Sequence, residues 1–254
     1  MNPDSKQNKI SWKRILLFLI IAISVSNIFR FDIFAFRESL KQLPVWLFLL
    51  TTALLEGSGV IIGAFVAIKL LKKERKTEMS LFGTSRSNSL LMAVVPLIIL
   101  TVVGVTNDQG LNSHAFGFFS IIASFLYCIM EEYGWRGYLQ EELKGIKPWG
   151  KYLAIGFIWY FWHLSFLTKA SAGDNLFFLG MLVLGSWGIG QVAESTKSIM
   201  ACACFHLLIQ IMLFNALIKN GISGSEKLII LGISISIWYI VIKKWEKESK
   251  TIAA

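Results

Sequence analysis

The sequence predicts an all-α protein, a polytopic transmembrane helical bundle of about eight spans with cytoplasmic N- and C-termini. Three observations lead there. Of 254 residues, 55% are hydrophobic and only 16% are charged, where soluble domains carry about a quarter. The charges cluster between long apolar runs. Those runs approach or exceed the roughly 20 residues a helix needs to cross the hydrocarbon core.

Taken in order, the first run is 12–31. It follows a polar, basic stretch ending at Arg14, and no small-residue cleavage site follows it cleanly, so a first span is expected and not a cleaved signal peptide. The second and fourth runs, 43–71 and 115–143, are long enough to tilt or protrude. The third is 88–106, and the rest are 149–168, 175–193, 198–217 and 227–243. The longest polar stretch, 72–88, is a short basic loop. No internal repeat, low-complexity tract or soluble domain interrupts this pattern, so 1–254 reads as one integral membrane domain with the motif-bearing core at 115–217.

The formal net charge is +9, from 25 Lys+Arg against 16 Asp+Glu. Because the cations sit at the ends of apolar runs, positive-inside topology accounts for them, and nucleic acid is not an expected partner. Lys6, Lys9, Lys13 and Arg14 precede the first span. Lys72, Lys73, Arg75, Lys76 and Arg86 fill the second loop. Lys144, Lys147 and Lys151 surround the fourth loop, and Lys243, Lys244, Lys247 and Lys250 end the chain. Alternate loops are poorer in cations, the first loop with Arg30, Arg37 and Lys41 being the exception. This bias places both termini in the cytoplasm, with anionic lipid headgroups as partners of the basic cytosolic loops. Cys128, Cys202 and Cys204 lie inside apolar runs without a CxxC and read as small buried hydrophobes.

Ionisable residues inside spans are costly, and they usually face a bundle interior or a watery cavity. The fourth run ends in Glu131-Glu132-Tyr133-Gly134-Trp135-Arg136-Gly137-Tyr138-Leu139. Glu132 and Arg136, at i,i+4, form a self-neutralising pair in the favourable order. Glu131 points about 100° away on the helix wheel and is left as a carboxylate suited to general-base work. The bland alternative is a helix end snorkelling into the interface. In the fifth run, Trp159 stands one turn before His163. In the seventh, His206 and Gln210 share a helix face, and interhelical glue is as good a reading of Gln210 alone as catalysis. Counting from the cytosolic ends puts Glu131, His163 and His206 on the order of 10–20 Å deep at 1.5 Å per residue. Glu56, beside Gly57-Ser58-Gly59, is a lone carboxylate that could serve ion transport or pair with a neighbouring helix. His114 and Asp108 read as solvated loop residues.

A carboxylate, two imidazoles and an amide can hydrolyse a peptide bond. The carboxylate moves a proton from water to the leaving amine, an imidazole positions the water, and N–H groups stabilise the oxyanion. Two histidines and a carboxylate could instead bind zinc, but H-E-x-x-H is absent. Ser124 and Ser165 remain conceivable nucleophiles.

E-E-Y-G-W-R-G-Y-L, then W-Y-F-W-H-L, then H-L-L-I-Q, in this order on separate spans, resembles the CAAX protease and bacteriocin-processing family, also called Abi proteins. The family pattern is E-E-x-x-x-R, an aromatic shortly before a His, and H-x-x-x-N; here Trp159 stands where Phe is commonest and Gln210 where Asn is usual. The resemblance covers 115–217. It implies a metal-independent intramembrane glutamic endopeptidase without a cofactor, its site open to the cytosol, acting on membrane-associated peptides or proteins. It implies Glu131 as catalytic base, His163 as its water-orienting partner, His206 and Gln210 as the oxyanion site, and Glu132, Arg136 and Trp159 in support. The short basic N-terminus and compact loops look bacterial, which implies a multi-pass protein of the cell membrane engaged in bacteriocin maturation or self-immunity. The alternative, motivated by Gln210, is a non-catalytic adaptor or immunity protein with the same fold.

Overall fold

The computed structural model describes residues 10–71, 77–164 and 171–253, with side chains described up to Lys247. Among them each apolar run contributes helix: α1 (Trp12–Arg30), α2 (Phe36–Leu40), α3 (Val45–Leu70), α4 (Arg86–Val103), α5 (Ser113–Glu132), α6 (Gln140–Glu142), α7 (Pro148–Trp162), α8 (Ala172–Thr196), α9 (Ile199–Ile209), α10 (Ala216–Lys219) and α11 (Gly224–Ala253). A π-helical turn, Tyr133–Leu139, joins α5 to α6, and a second, Gln210–Phe214, continues α9. The described residues contain no strand, only an isolated Ser80–Ser198 bridge.

Six stretches are long and apolar enough to cross a membrane: α1, α3, α4, the rod Ser113–Glu142, α8, and α11 to Lys247. Two of the eight expected spans are shorter helices, α7 at 15 residues and Ile199–Phe214; positions 165–168 of the fifth run lie outside the described residues. Large apolar side chains such as Leu16, Phe65, Val102, Leu184 and Ile240 point outward, as a helix facing hydrocarbon requires.

The end of α7 has a local cause. His163 leaves helical geometry at φ −82°, ψ 63°, and its backbone N–H bonds to Tyr160 O at 3.1 Å. That tightening orphans the Trp159 carbonyl, which is met by the His163 ring Nδ1 at 2.9 Å. The Trp162 carbonyl accepts from Asn27 Nδ2 at 3.2 Å and Arg30 Nη1 at 3.3 Å. Terminal helix carbonyls need such partners away from water.

Helix α1 sits on α3 through small residues. A Cβ on Gly59 would lie 2.6 Å from the Ser26 nitrogen, and one on Gly63 2.8 Å from Phe18 O. This G-x-x-x-G lets two backbones touch, as small residues do in membrane bundles. Gly59→Leu is therefore expected to lower the unfolding midpoint in detergent well below that of Gly180→Leu, a position with nothing within 4 Å. Equal midpoints would rule this contact out as a stabilising one.

The rods alternate in direction and leave two faces. On one, Trp245 Nε1 donates to Thr84 Oγ1, Lys197 pairs with Glu78 at 2.8 Å, and buried Arg14 pairs with Glu142 at 3.0 Å. On the other, Thr106 N bonds to Gly221 O at 2.8 Å and the Tyr160 hydroxyl donates to Asn175 Oδ1 at 2.8 Å. The first is the lysine-rich face.

Candidate active site

Glu131 is fully buried at the end of α5. Its Oε2 accepts from the indole N–H of Trp135 and that of Trp159, each at 3.0 Å. Oε1 has no protein hydrogen-bond partner among the described residues, and the Tyr127 hydroxyl lies beside the carboxylate. No cation pairs with Glu131 among the described residues, but the carboxylate is not loose: two neutral donors on different helices fix its rotamer.

Glu132 carries the opposite burden. Arg136 Nη1 lies 3.0 Å from both of its oxygens, and both side chains have no exposed surface. His206 Nδ1 stands 2.8 Å from Glu132 Oε1. The i,i+4 pair therefore forms as the spacing predicts, and it also tethers α9. The guanidinium lies 4.9 Å from the Trp159 ring centroid. The π turn begins directly after Glu132, and its extra residue rotates the downstream side chains by about 100° relative to a continued α-helix. Gly134 is seated so closely on α3 that a Cβ there would collide with Val60.

Trp159 is the hub. Its N–H holds Glu131, its carbonyl meets His163 Nδ1, and its ring meets His206 edge-on at a centroid distance of 4.8 Å. A carbonyl only accepts, so the neutral His163 ring carries its proton on Nδ1 and its lone pair on Nε2. Gln210 Nε2 lies 3.4 Å from His206 Nε2. With the His206 proton on Nδ1 facing Glu132, Nε2 accepts one amide hydrogen of Gln210 and leaves its second to point elsewhere.

A cavity of about 1010 Å³ reaches Tyr127, His163 and Gln210 from the ends of α1, α7 and the second π turn and the beginnings of α3 and α8. His206 is 1% exposed and does not line it. The structure thus brings the other six sequence-predicted residues together around Trp159, with His163 and Gln210 toward the cavity and Glu132, Arg136 and His206 behind them.

Residues 113–212 match the family described as type II CAAX prenyl endopeptidase Rce1-like. Over this stretch the motif-bearing core is similar to that family. No curated protein matches this chain. The six membrane-length helices, together with this similarity, are those of a multi-pass membrane protein.

The site also contains residues that the motifs left without roles. Trp135 matches Trp159 as a donor to Glu131. Arg30, part of the exception to the charge bias, lies 3.5 Å over the Trp162 ring and donates to the Tyr127 hydroxyl at 2.8 Å. A cation at a helix C-terminus is the available signal, since it complements the terminal carbonyls. Glu56 lines the cavity mouth and pairs with Arg37 at 3.4 Å. Ser124 Oγ accepts from Asn215 Nδ2 at 2.8 Å, and Ser165 lies outside the described residues. His114 is exposed, with Nδ1 3.0 Å from Thr101 O. The three cysteines are free and buried.

One pair of expectations does not survive together. The cavity opens among Arg37, Lys41, Asp174 and Leu217, on the face opposite the lysine-rich one. If both termini are cytoplasmic, the cavity does not open to the cytosol, because the helix directions put the N-terminus and the cavity mouth on opposite sides.

Proposed function

We propose that the Rce1-like core is an intramembrane glutamic endopeptidase that needs no metal, with Glu131 as its base. The observation that carries this reading is the asymmetry of Glu131: one oxygen is held by two indoles, and the other, buried and outside that grip, belongs to a carboxylate next to Tyr127, which lines the cavity together with His163 and Gln210. Water entering there is oriented by the lone pair of His163 Nε2. Glu131 takes its proton as the oxygen attacks the scissile carbonyl. The second N–H of Gln210 donates to the developing oxyanion, while His206, anchored through Glu132 and Arg136, holds that amide. The C–N bond breaks, Glu131 returns the proton to the leaving amine, and a carboxylic acid and an amine depart.

This division supports Gln210 as the amide that reaches substrate and His206 as the residue that positions it. The cavity, at about 1010 Å³, is at the upper end of ligand-site volumes and has room for a peptide segment. Its setting supports membrane-associated peptides or proteins as substrates, of which bacteriocin precursors at a bacterial cell membrane are one class. The test compares protein N-termini in membranes of cells making the wild type or Glu131→Gln at equal levels. Termini that vanish in the variant name the substrates. Identical termini with the cellular phenotype retained would favour the adaptor reading.

The donors to base and oxyanion are open to the same kind of test. Trp159→Phe keeps an aromatic but removes the N–H on Glu131; a hydrogen bond to a charged group contributes about 1.5–3 kcal/mol, so turnover is expected to fall roughly 10–100-fold with the fold intact. A rate equal to wild type would remove Trp159 from the positioning network. Gln210→Ala is expected to lower kcat by about 10²-fold, the usual cost of one oxyanion donor, and Gln210→Asn by less. Loss confined to KM would argue against an oxyanion role.

A further inference from the structure

The position of the cavity mouth bears on which peptides can reach it. The lysine-rich face carries Arg86, Lys144, Lys147, Lys197 and the end of α11 with Lys243 and Lys244. Membrane proteins keep such loops in the cytoplasm. The mouth face has fewer cations, and four of its described ones are engaged locally. Arg30 covers the α7 terminus, Arg37 meets Glu56, Lys41 meets Glu38 at 2.7 Å, and Lys219 Nζ donates to Leu213 O at 3.0 Å. Arg30, Arg37, Lys41 and Lys219 also line the cavity. The first loop, which breaks the charge bias of the sequence, thus has its own explanation: its cations build the mouth.

We infer that the cavity opens on the non-cytoplasmic side of the membrane, so that the substrate is a polypeptide segment already translocated across it and not a cytosolic tail. This rests on the cavity being the substrate site proposed above. The mouth, with four cations against Glu56 and Asp174, suits a translocated segment with acidic character.

The experiment uses single added cysteines in the full chain in intact cells. The three native cysteines are buried, so the unmodified protein sets the background. Leu217→Cys, at the mouth, is expected to react with a membrane-impermeant maleimide in intact cells; Lys147→Cys, on the lysine-rich face, only after permeabilisation. Gln109→Cys, on the mouth face but outside the cavity, reads the same orientation if Leu217→Cys does not accumulate. The reverse pattern, labelling of both faces, or no labelling of either mouth-face position until detergent is added would overturn the inference. Where the orientation holds, a bulky impermeant maleimide on Leu217→Cys is expected to stop new termini from forming in those cells; termini that continue to form would overturn entry by this mouth. If Glu131→Gln changes no termini at all while the labelling pattern stands, the protease reading fails and the orientation does not.

Discussion

Glu131→Gln is expected to cut the rate of peptide cleavage by about 10²–10⁴-fold, the range for loss of a positioned general base, with little change in KM or folding. The replacement is isosteric. Its amide oxygen can still accept from the Trp135 and Trp159 indoles that now hold Oε2 at 3.0 Å, so the side chain stays where it is. What disappears is the capacity to take a proton from water at the other position. Glu131→Asp separates charge from placement. It keeps the carboxylate but withdraws it by one methylene, away from both indoles, and a displacement of about 1 Å can itself cost roughly 10²-fold. Both variants should therefore be slow, for different reasons, and only Glu131→Gln should leave the thermal midpoint in detergent near that of the wild type. The measurement is single-turnover cleavage of a peptide spanning a terminus identified in cells. An unchanged rate for Glu131→Gln would remove the carboxylate from the chemistry.

Much of this site is legible in the sequence because membrane burial leaves few roles for a charged residue. The apolar runs mark where helices form, and the i,i+4 spacing of Glu132 and Arg136 predicts the ion pair seen at 3.0 Å. Glu131, His163, His206 and Gln210 are recognisable as a group because each interrupts an apolar run. What pattern does not disclose comes from tertiary contacts. The π turns at Tyr133–Leu139 and Gln210–Phe214 obey no local periodicity, yet they decide which way Arg136 and Gln210 face. The stop of α7 at His163 depends on Asn27 and Arg30 arriving from α1 to meet its last carbonyls. Trp135 looks like packing until its N–H is placed on Glu131. Gly59 and Gly63 are a readable signal of close helix approach, but only the structure shows Ser26 and Phe18 on the other side. The side on which the cavity opens needs both levels: helix direction from the structure, and the cytoplasmic face from the distribution of lysines.

The largest stability effect is expected from Arg136→Met. Arg136 and Glu132 have no exposed surface, so removing the guanidinium leaves a carboxylate buried among helices, with His206 Nδ1 2.8 Å away as its remaining neighbour. Breaking a buried pair from one side costs about 3–5 kcal/mol, because the surviving charge is uncompensated, and that is a large part of the stability of most domains. Met roughly preserves the aliphatic stem and the contact with the Trp159 ring, so the loss reports charge more than volume. The double variant Glu132→Gln with Arg136→Met removes the orphaned charge as well and is expected to recover a substantial part of the lost stability. It should not recover activity, since His206 then loses the anchor through which it positions Gln210. Stability and turnover are thereby separated in one cycle, read as thermal midpoint in detergent and as cleavage rate. If Arg136→Met alone is as stable as the wild type, Glu132 does not need its arginine, and the ion pair is not what holds α9 against the π turn.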